Sequence, residues 1–297
     1  MGAKQAGERP TVKDALAPGA HEILVDGIRQ RYHVAGQGPV CLVHPGGPGG
    51  RWEYLRMPLV EEGATTVYVA PVGAGESGDI PNDDYAMHTY VRFVEALVDH
   101  LGVSDIHFLG HSHGAMVGLQ YGLEHPGRLA GLLQYAGAPV HGPALVTEMN
   151  IQIERFAQRF AGHPGLDAVL KARKAGGLAQ VSGKAGLSAY MQGILPLYFR
   201  DFWEMEGRLG AWLAEFDIEP APALHPHDWD VRGKLGALDL PTVIMAGRYD
   251  FICPVRWADE MNREMAMSRV VFFEKCGHFA HIEQPEEFAR TVLDFLQ

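Results

Sequence analysis

Short apolar runs alternate with longer amphipathic segments along most of this chain. The runs typical of buried strands are residues 40–43, 66–69, 106–109, 130–133, 242–246 and 269–273. Helical spacing of apolar side chains occurs at Tyr90, Phe93, Val94, Leu97 and Leu101, and near the carboxyl end at Phe288, Val292 and Phe295. This alternation predicts an α/β protein with a mostly parallel, doubly wound sheet that helices cover on both faces.

The pattern changes at the beginning of the chain and in its second half. Residues 21–25 and 28–34 flank Asp26-Gly27, a dipeptide typical of a two-residue hairpin turn. Residues 1–20 precede this hairpin and are predicted to form a flexible arm. Residues 140–239 lack the strand pattern and are rich in aromatic side chains, which indicates a helical cap inserted into the sheet domain. The sheet domain would then comprise residues 21–139 and 240–297.

Composition narrows the class of protein. The chain has 297 residues, of which 47% are hydrophobic and 21% charged, as in globular proteins. It contains no apolar run long enough to span a membrane and begins without a secretion signal, so we expect a cytoplasmic protein. A net charge of −11 argues against binding to nucleic acid. Cys41, Cys253 and Cys276 are too few and too scattered for a disulfide framework or a thiolate metal site.

The strongest chemical signal is the segment Gly110-His111-Ser112-His113-Gly114. It follows the predicted strand 106–109 and precedes a helix-like segment. A serine on a sharp turn between strand and helix projects its hydroxyl outward, and the flanking glycines allow that turn. Ser112 is therefore the candidate nucleophile.

A serine hydroxyl needs a base to take its proton and a carboxylate to orient that base. Asp250 follows the predicted strand 242–246, and His278 follows the predicted strand 269–273. Because the carboxyl ends of parallel strands share one edge of a sheet, we predict that Ser112, His278 and Asp250 form a catalytic triad. The rival base is His281 and the rival acids are Asp228, Asp230 and Asp239, which lack this position after a strand.

An acyl-transfer site also needs donors for the negative oxygen that develops during attack. The backbone N–H of His113, directly after the nucleophile, is one candidate. The glycine-rich loop His44-Pro45-Gly46-Gly47-Pro48-Gly49, which follows strand 40–43, offers Gly46 or Gly47 as the second.

These motifs resemble the α/β-hydrolase superfamily, and Gly-Gly-Pro-Gly at residues 46–49 is similar to the loop of proline iminopeptidases. The similarity extends over residues 21–297. It implies a serine hydrolase that works through an acyl-enzyme intermediate, without metal or cofactor, on a small molecule or short peptide. The chain departs from the iminopeptidase pattern at residues 70–77 and in the two histidines beside Ser112.

The same resemblance implies that acidic cap residues hold the ammonium group of an aminopeptidase substrate. Glu204 and Glu206 are the candidates, and Trp203 lies beside them to pack on a proline ring. An exposed helix face would give the same sequence, so both interpretations stay open.

Several alternatives remain at the level of sequence. A carboxylesterase or lactonase would use the same triad and donors, since these do not distinguish esters from amides. Gly73 to Gly78 match a dinucleotide-binding motif but precede turn-like residues rather than a helix. His111 with His113, and His225 with His227, have the spacing of metal ligands. The first pair straddles a turn and the second lacks an obvious third ligand, so we predict no metal. The oligomeric state is left open.

Overall fold

A single central sheet organises the molecule. The computed structural model describes residues 12–174, 183–216 and 228–297. The strands, in chain order, are β1 (Gly19–Val25), β2 (Ile28–Ala35), β3 (Val40–His44), β4 (Thr65–Ala70), β5 (His107–His111), β6 (Gly131–Tyr135), β7 (Val140–His141), β8 (Trp229–Asp230), β9 (Thr242–Gly247) and β10 (Ser268–Phe273). Among the described residues, the sheet has the order β1-β2-β4-β3-β5-β6-β9-β10, and β7 pairs with β8 separately.

The helices, in chain order, are α1 (Val12–Ala15), α2 (Pro58–Glu61), α3 (Met87–Leu101), α4 (His113–Glu124), α5 (Pro143–Arg159), α6 (Leu166–Lys174), α7 (Gly183–Ile194), α8 (Phe202–Met205), α9 (Gly210–Glu215), α10 (Val255–Glu264), α11 (Ala280–Glu283) and α12 (Pro285–Leu296).

Alternate side chains of the buried strands serve two different apolar layers. Leu42 on β3 belongs to a cluster with Phe93 of α3 and Val117 of α4. The next residue, Val43, belongs to a second cluster with Val292 of α12. Because successive side chains of a strand point to opposite faces, helices must cover both faces of the sheet. The predicted α/β class with a doubly wound, mostly parallel sheet is confirmed.

The two strands at the beginning form the predicted hairpin. β1 and β2 are antiparallel, and both residues of the turn have positive φ, 52° at Asp26 and 81° at Gly27, as a type I′ turn requires. The arm predicted for residues 1–20 is partly wrong: in its described part, residues 12–15 form α1 and β1 begins at Gly19. Ala15 is buried, and its carbonyl oxygen accepts a hydrogen bond from the Tyr32 hydroxyl, so this segment is packed rather than loose.

The region proposed as a cap lies between β6 and β9. Helices α5 to α9 lie in this interval, and the antiparallel pair of β7 and β8 joins the chain where it leaves and re-enters the sheet domain. Two-residue strands are too short to produce a hydrophobic pattern, so the sequence did not predict this pair. The exact boundaries proposed for the cap, 140 and 239, stay a prediction.

The sheet brings several loops to one edge. Strands β3, β5, β6, β9 and β10 are parallel neighbours, so the loops that follow them leave at the same side. Within the described part of the chain, no helix combines the length and the apolar character needed to cross a bilayer.

Candidate active site

Ser112 lies in a strained turn between β5 and α4. Its φ of 54° and ψ of −116° belong to a region that side-chain-bearing residues rarely occupy. Both flanking glycines are required by close backbone contacts: a Cβ on Gly110 would lie 2.2 Å from the carbonyl oxygen of Gly114, and a Cβ on Gly114 would lie 2.3 Å from that of His44. The turn predicted around Ser112 therefore has a steric basis in this sequence.

Asp250 and His278 form a buried pair. Nδ1–H of His278 donates to Oδ2 of Asp250 over 2.7 Å, and both side chains are almost inaccessible to solvent. The other carboxylate oxygen, Oδ1, accepts from the backbone N–H groups of Ile252 (2.8 Å) and Cys253 (2.9 Å). With Nδ1 protonated, Nε2 of His278 is left as a proton acceptor, which is the tautomer that a general base needs.

Ser112 lies beside this pair because its neighbour in the chain, His111, contacts His278. The ring of His111 lies 4.6 Å from the ring of His278, centroid to centroid, and its Nε2–H donates to the carbonyl oxygen of His278 over 3.1 Å. Among the described residues, no hydrogen bond joins the Ser112 hydroxyl to His278. Such bonds are often long in a site without substrate and shorten when it binds.

The glycine loop distinguishes its two candidate donors. The N–H of Gly46 donates to the Tyr54 hydroxyl over 2.7 Å and is therefore engaged. A Cβ on Gly46 would lie 3.0 Å from Cβ of Ser112, so the loop passes directly beside the serine. Within the described residues, the N–H groups of Gly47 and His113 donate no hydrogen bond to another group. They remain available for an oxyanion.

Tyr54 connects the glycine loop to the nucleophile turn. Its hydroxyl accepts from Gly46 and lies 2.7 Å from Nδ1 of His111, to which it donates. Its carbonyl oxygen accepts from Nε1 of the cap residue Trp212 and from Nε2 of His281, each over 2.9 Å. Burial drives the pKa of His111 well below its ordinary value, and the nearby His278 and His281 add to this. His111 is consequently neutral.

The rival base and acids have other partners. Nε2–H of His281 donates to the Tyr54 carbonyl oxygen, and its Nδ1 accepts from the Tyr135 hydroxyl over 2.8 Å. Burial lowers the pKa of His281 to about 4. Asp230 is ion-paired with Arg232. Asp228 approaches Gly142, and Asp239 is exposed. Of the acids weighed from the sequence, Asp250 is the one that contacts a buried imidazole.

The metal and dinucleotide alternatives gain no support. His113 packs edge-on against Tyr90, away from His111, and the described residues contain no group of three or more potential ligands arranged to hold a metal. His225 and His227 lie outside the described residues. The segment from Gly73 to Gly78 closes a turn with a backbone hydrogen bond of 3.0 Å, and the next helix after it, α3, begins only at Met87.

The structure does not bring the predicted cap acids to the triad. Glu204 is exposed and ion-paired with Arg200 on the surface of the cap, as an ordinary helix face would be. Trp203 stacks on His163 inside the cap, with ring centroids 3.8 Å apart. Glu206 is exposed and lines a cap cavity of about 500 Å³ together with Phe216. The role of Glu204 as an amine anchor is left without a contact that would support it.

Aromatic side chains surround His278 instead. The ring of Tyr198 lies 5.6 Å from that of His278, stacks on Phe279 at 5.5 Å and meets Phe251 at 4.9 Å. The sequence indicated an aromatic-rich cap but not which rings reach the site. Tyr54 carried no motif at all.

Comparison with known proteins agrees with this architecture. The profile of the α/β hydrolase fold matches residues 39–285. The 2-hydroxy-6-oxo-6-phenylhexa-2,4-dienoate hydrolase of Comamonas testosteroni is 27% identical over 90% of each chain. The proline iminopeptidase of Saccharolobus solfataricus is 27% identical over 89% of this chain and 87% of its own. An α/β fold family hydrolase from Bacillus anthracis superposes with a TM-score of 0.74 and 19% identity, covering 93% of this chain and 98% of its own. The chain therefore belongs to the α/β-hydrolase fold family.

Proposed function

We propose that this enzyme is a serine hydrolase in which Ser112 attacks a carbonyl carbon, with His278 as base and Asp250 as the acid that orients it. The buried hydrogen bond of 2.7 Å between His278 and Asp250, at the same sheet edge as the strained Ser112 turn, carries the proposal. A carboxylate at Nδ1 fixes the tautomer in which Nε2 accepts the serine proton.

The reaction would proceed in two steps. The Ser112 oxygen bonds to the carbonyl carbon while its proton moves to Nε2 of His278, and the negative oxygen accepts from the N–H groups of Gly47 and His113. His278 then returns the proton to the leaving group, and an acyl-enzyme remains on Ser112. Water activated by the same histidine hydrolyses this ester and restores the serine.

We propose that the substrate is a ketone of the 6-oxo-dienoate class, which appears in the name of the Comamonas testosteroni hydrolase. Its similarity covers 90% of both chains, and the aromatic surroundings of His278 suit a conjugated substrate. The cation for the carboxylate of such a substrate would be Arg173. Its side chain is hydrogen-bonded to Tyr190, and its charge opposes the rise that burial causes in the pKa of Tyr198.

A second candidate is a proline iminopeptidase-like aminopeptidase. It is favoured by the Gly46-Gly47-Pro48-Gly49 segment and by the relative of that name. Its amine anchor would have to be Glu206, which lines the cap cavity. A carboxylesterase or lactonase would share the chemistry without needing either anchor.

The deciding experiment is turnover on four substrates: 2-hydroxy-6-oxo-6-phenylhexa-2,4-dienoate, a proline arylamide, a 4-nitrophenyl ester and a simple lactone. Ser112→Ala serves as the blank. We expect cleavage of the dienoate, with Arg173→Gln raising its KM about 10-fold, as loss of one charged hydrogen bond does. The matched control Lys171→Gln, an exposed site on the same helix, should leave KM unchanged. Preference for the arylamide, with KM sensitive to Glu206→Gln, would transfer the proposal to the aminopeptidase.

A further inference from the structure

The cap touches the loop of His278 at one tight junction. The backbone N–H of His278 donates to the carbonyl oxygen of Tyr198 over 2.7 Å. A Cβ on Gly277 would lie 2.3 Å from that same oxygen, so only glycine permits this approach. The segment of the cap that follows α7 is thus packed directly on the main chain that carries the proposed base.

One carboxylate bridges the two sides of this junction. Oε2 of Glu283, at the end of α11, accepts from the N–H of Gly277 over 2.6 Å. Oε1 of the same group accepts from the N–H of Arg200 over 2.8 Å. Gly277 immediately precedes His278, whereas Arg200 belongs to the cap, so a single side chain holds both segments by their backbones.

We propose that Glu283 is a positioning residue, whose carboxylate fixes the His278 loop against the cap so that the imidazole stays aligned between Asp250 and Ser112. This inference rests on the proposed function, because it concerns the base of that reaction. Asp250 fixes only one nitrogen of the ring. The main chain that anchors the ring is held by Glu283 at the Gly277 N–H, by Tyr198 at the His278 N–H and by His111 at the His278 carbonyl oxygen.

The bridge depends on the charge of Glu283. An ionised carboxylate accepts from both N–H groups, whereas a protonated one carries a donor on one oxygen. Burial raises the pKa of Glu283 to about 7, while the N–H groups of Gly277 and Arg200 and the Arg200 charge oppose the rise and Asp250 adds to it. The titratable and charged groups around it are Arg159 and Arg200 from the cap, Asp250 after β9, Tyr135 at the end of β6 and Cys276 before His278.

The test is the pH profile of kcat for the wild type and Glu283→Gln on whichever substrate is turned over. Glutamine has the same shape, but its NH₂ group faces an N–H donor. We expect kcat of the variant to fall about 10- to 100-fold at pH 8.5, the loss that accompanies a missing charge-assisted hydrogen bond. Near pH 5.5 the wild-type Glu283 is itself mostly protonated, so the deficit should shrink to about threefold or less.

The matched control is Glu286→Gln, which removes the same charge from an exposed position on α12 and should leave the profile unchanged. Glu283→Asp keeps the charge but is too short for both contacts, and we expect it to fail like Glu283→Gln at pH 8.5. A deficit that is the same at every pH, or no deficit at all, would overturn the positioning role. In that event, Ser112→Ala in the same assay separates the two claims. If this variant is inactive, the proposed function stands without the positioning role; if it is active, the proposed function itself is refuted.

Discussion

The Tyr54 hydroxyl offers a sharp test of how the site is held together. Tyr54→Phe keeps the ring and the carbonyl oxygen that Trp212 and His281 use, and deletes only the group between Gly46 and His111. The N–H of Gly46 and Nδ1 of His111 then lose their partner in a buried site.

The cost can be worked from these two groups. A change of tautomer does not rescue His111, because a proton on Nδ1 would remove the donor that Nε2 gives to the His278 carbonyl. Each orphaned buried group costs about 1–3 kcal/mol, so the loss of two partners should lower the unfolding free energy by about 2–6 kcal/mol. With an unfolding entropy of about 0.6 kcal/mol/K for a chain of this length, Tm should fall by about 3–10 °C.

The assay is thermal and urea unfolding beside a matched control. The hydroxyl of Tyr90 is also buried but has no hydrogen-bond partner among the described residues, so Tyr90→Phe should be neutral or slightly stabilising. Equal destabilisation by the two substitutions would refute the reasoning, because the effect would then come from the tyrosine rings and not from the Tyr54 hydrogen bonds.

Three further outcomes follow from the site. Asp250→Asn should lower kcat by about 10⁴-fold with little change in KM, measured by steady-state kinetics, because it favours the wrong tautomer of His278. Gly114→Ala should yield little folded protein by size-exclusion chromatography and circular dichroism, since its Cβ would lie 2.3 Å from the His44 carbonyl oxygen. For Glu283, the folded pKa of about 7 exceeds the ordinary 4.5, so the folded state holds a proton that the unfolded chain releases, and stability falls as pH rises between these values. Glu283→Gln should therefore gain Tm relative to wild type from pH 5 to pH 8, and a pH-independent difference would contradict this.

The sequence predicted most strands of the central sheet because their buried parts are short, mainly apolar runs. The apolar pattern placed the end of one strand too early, at residue 133, whereas β6 continues through Gln134. That side chain is fully buried, and its Nε2 donates to the carbonyl oxygen of Ala115 over 3.0 Å, so a polar residue is tolerated inside the strand. Buried polar residues with a partner cannot be separated from exposed ones by pattern alone.

The candidate site was predictable only where local context carried it. Asp250 and His278 could be selected because each follows a strand, and the structure brings them into contact. Tyr54 and Glu283 act through partners far along the chain: Tyr54 contacts His111, 57 residues away, and Glu283 contacts Arg200, 83 residues away. The role of the cap acids could not be decided from the sequence, since a helix-face glutamate has the same sequence whether it faces solvent or substrate. Glu204 is exposed and paired with Arg200, and Glu206 stays a candidate.

Covalent labelling tests the central claim, that Ser112 is the nucleophile, most directly. The wild type and Ser112→Ala would be treated with a fluorophosphonate and analysed by intact mass and peptide mapping, with residual activity followed in parallel. The account predicts one adduct on the peptide that contains Ser112, loss of activity in step with labelling, and no adduct in the variant. An active wild type that remains unlabelled, or an adduct that persists in Ser112→Ala, would contradict it.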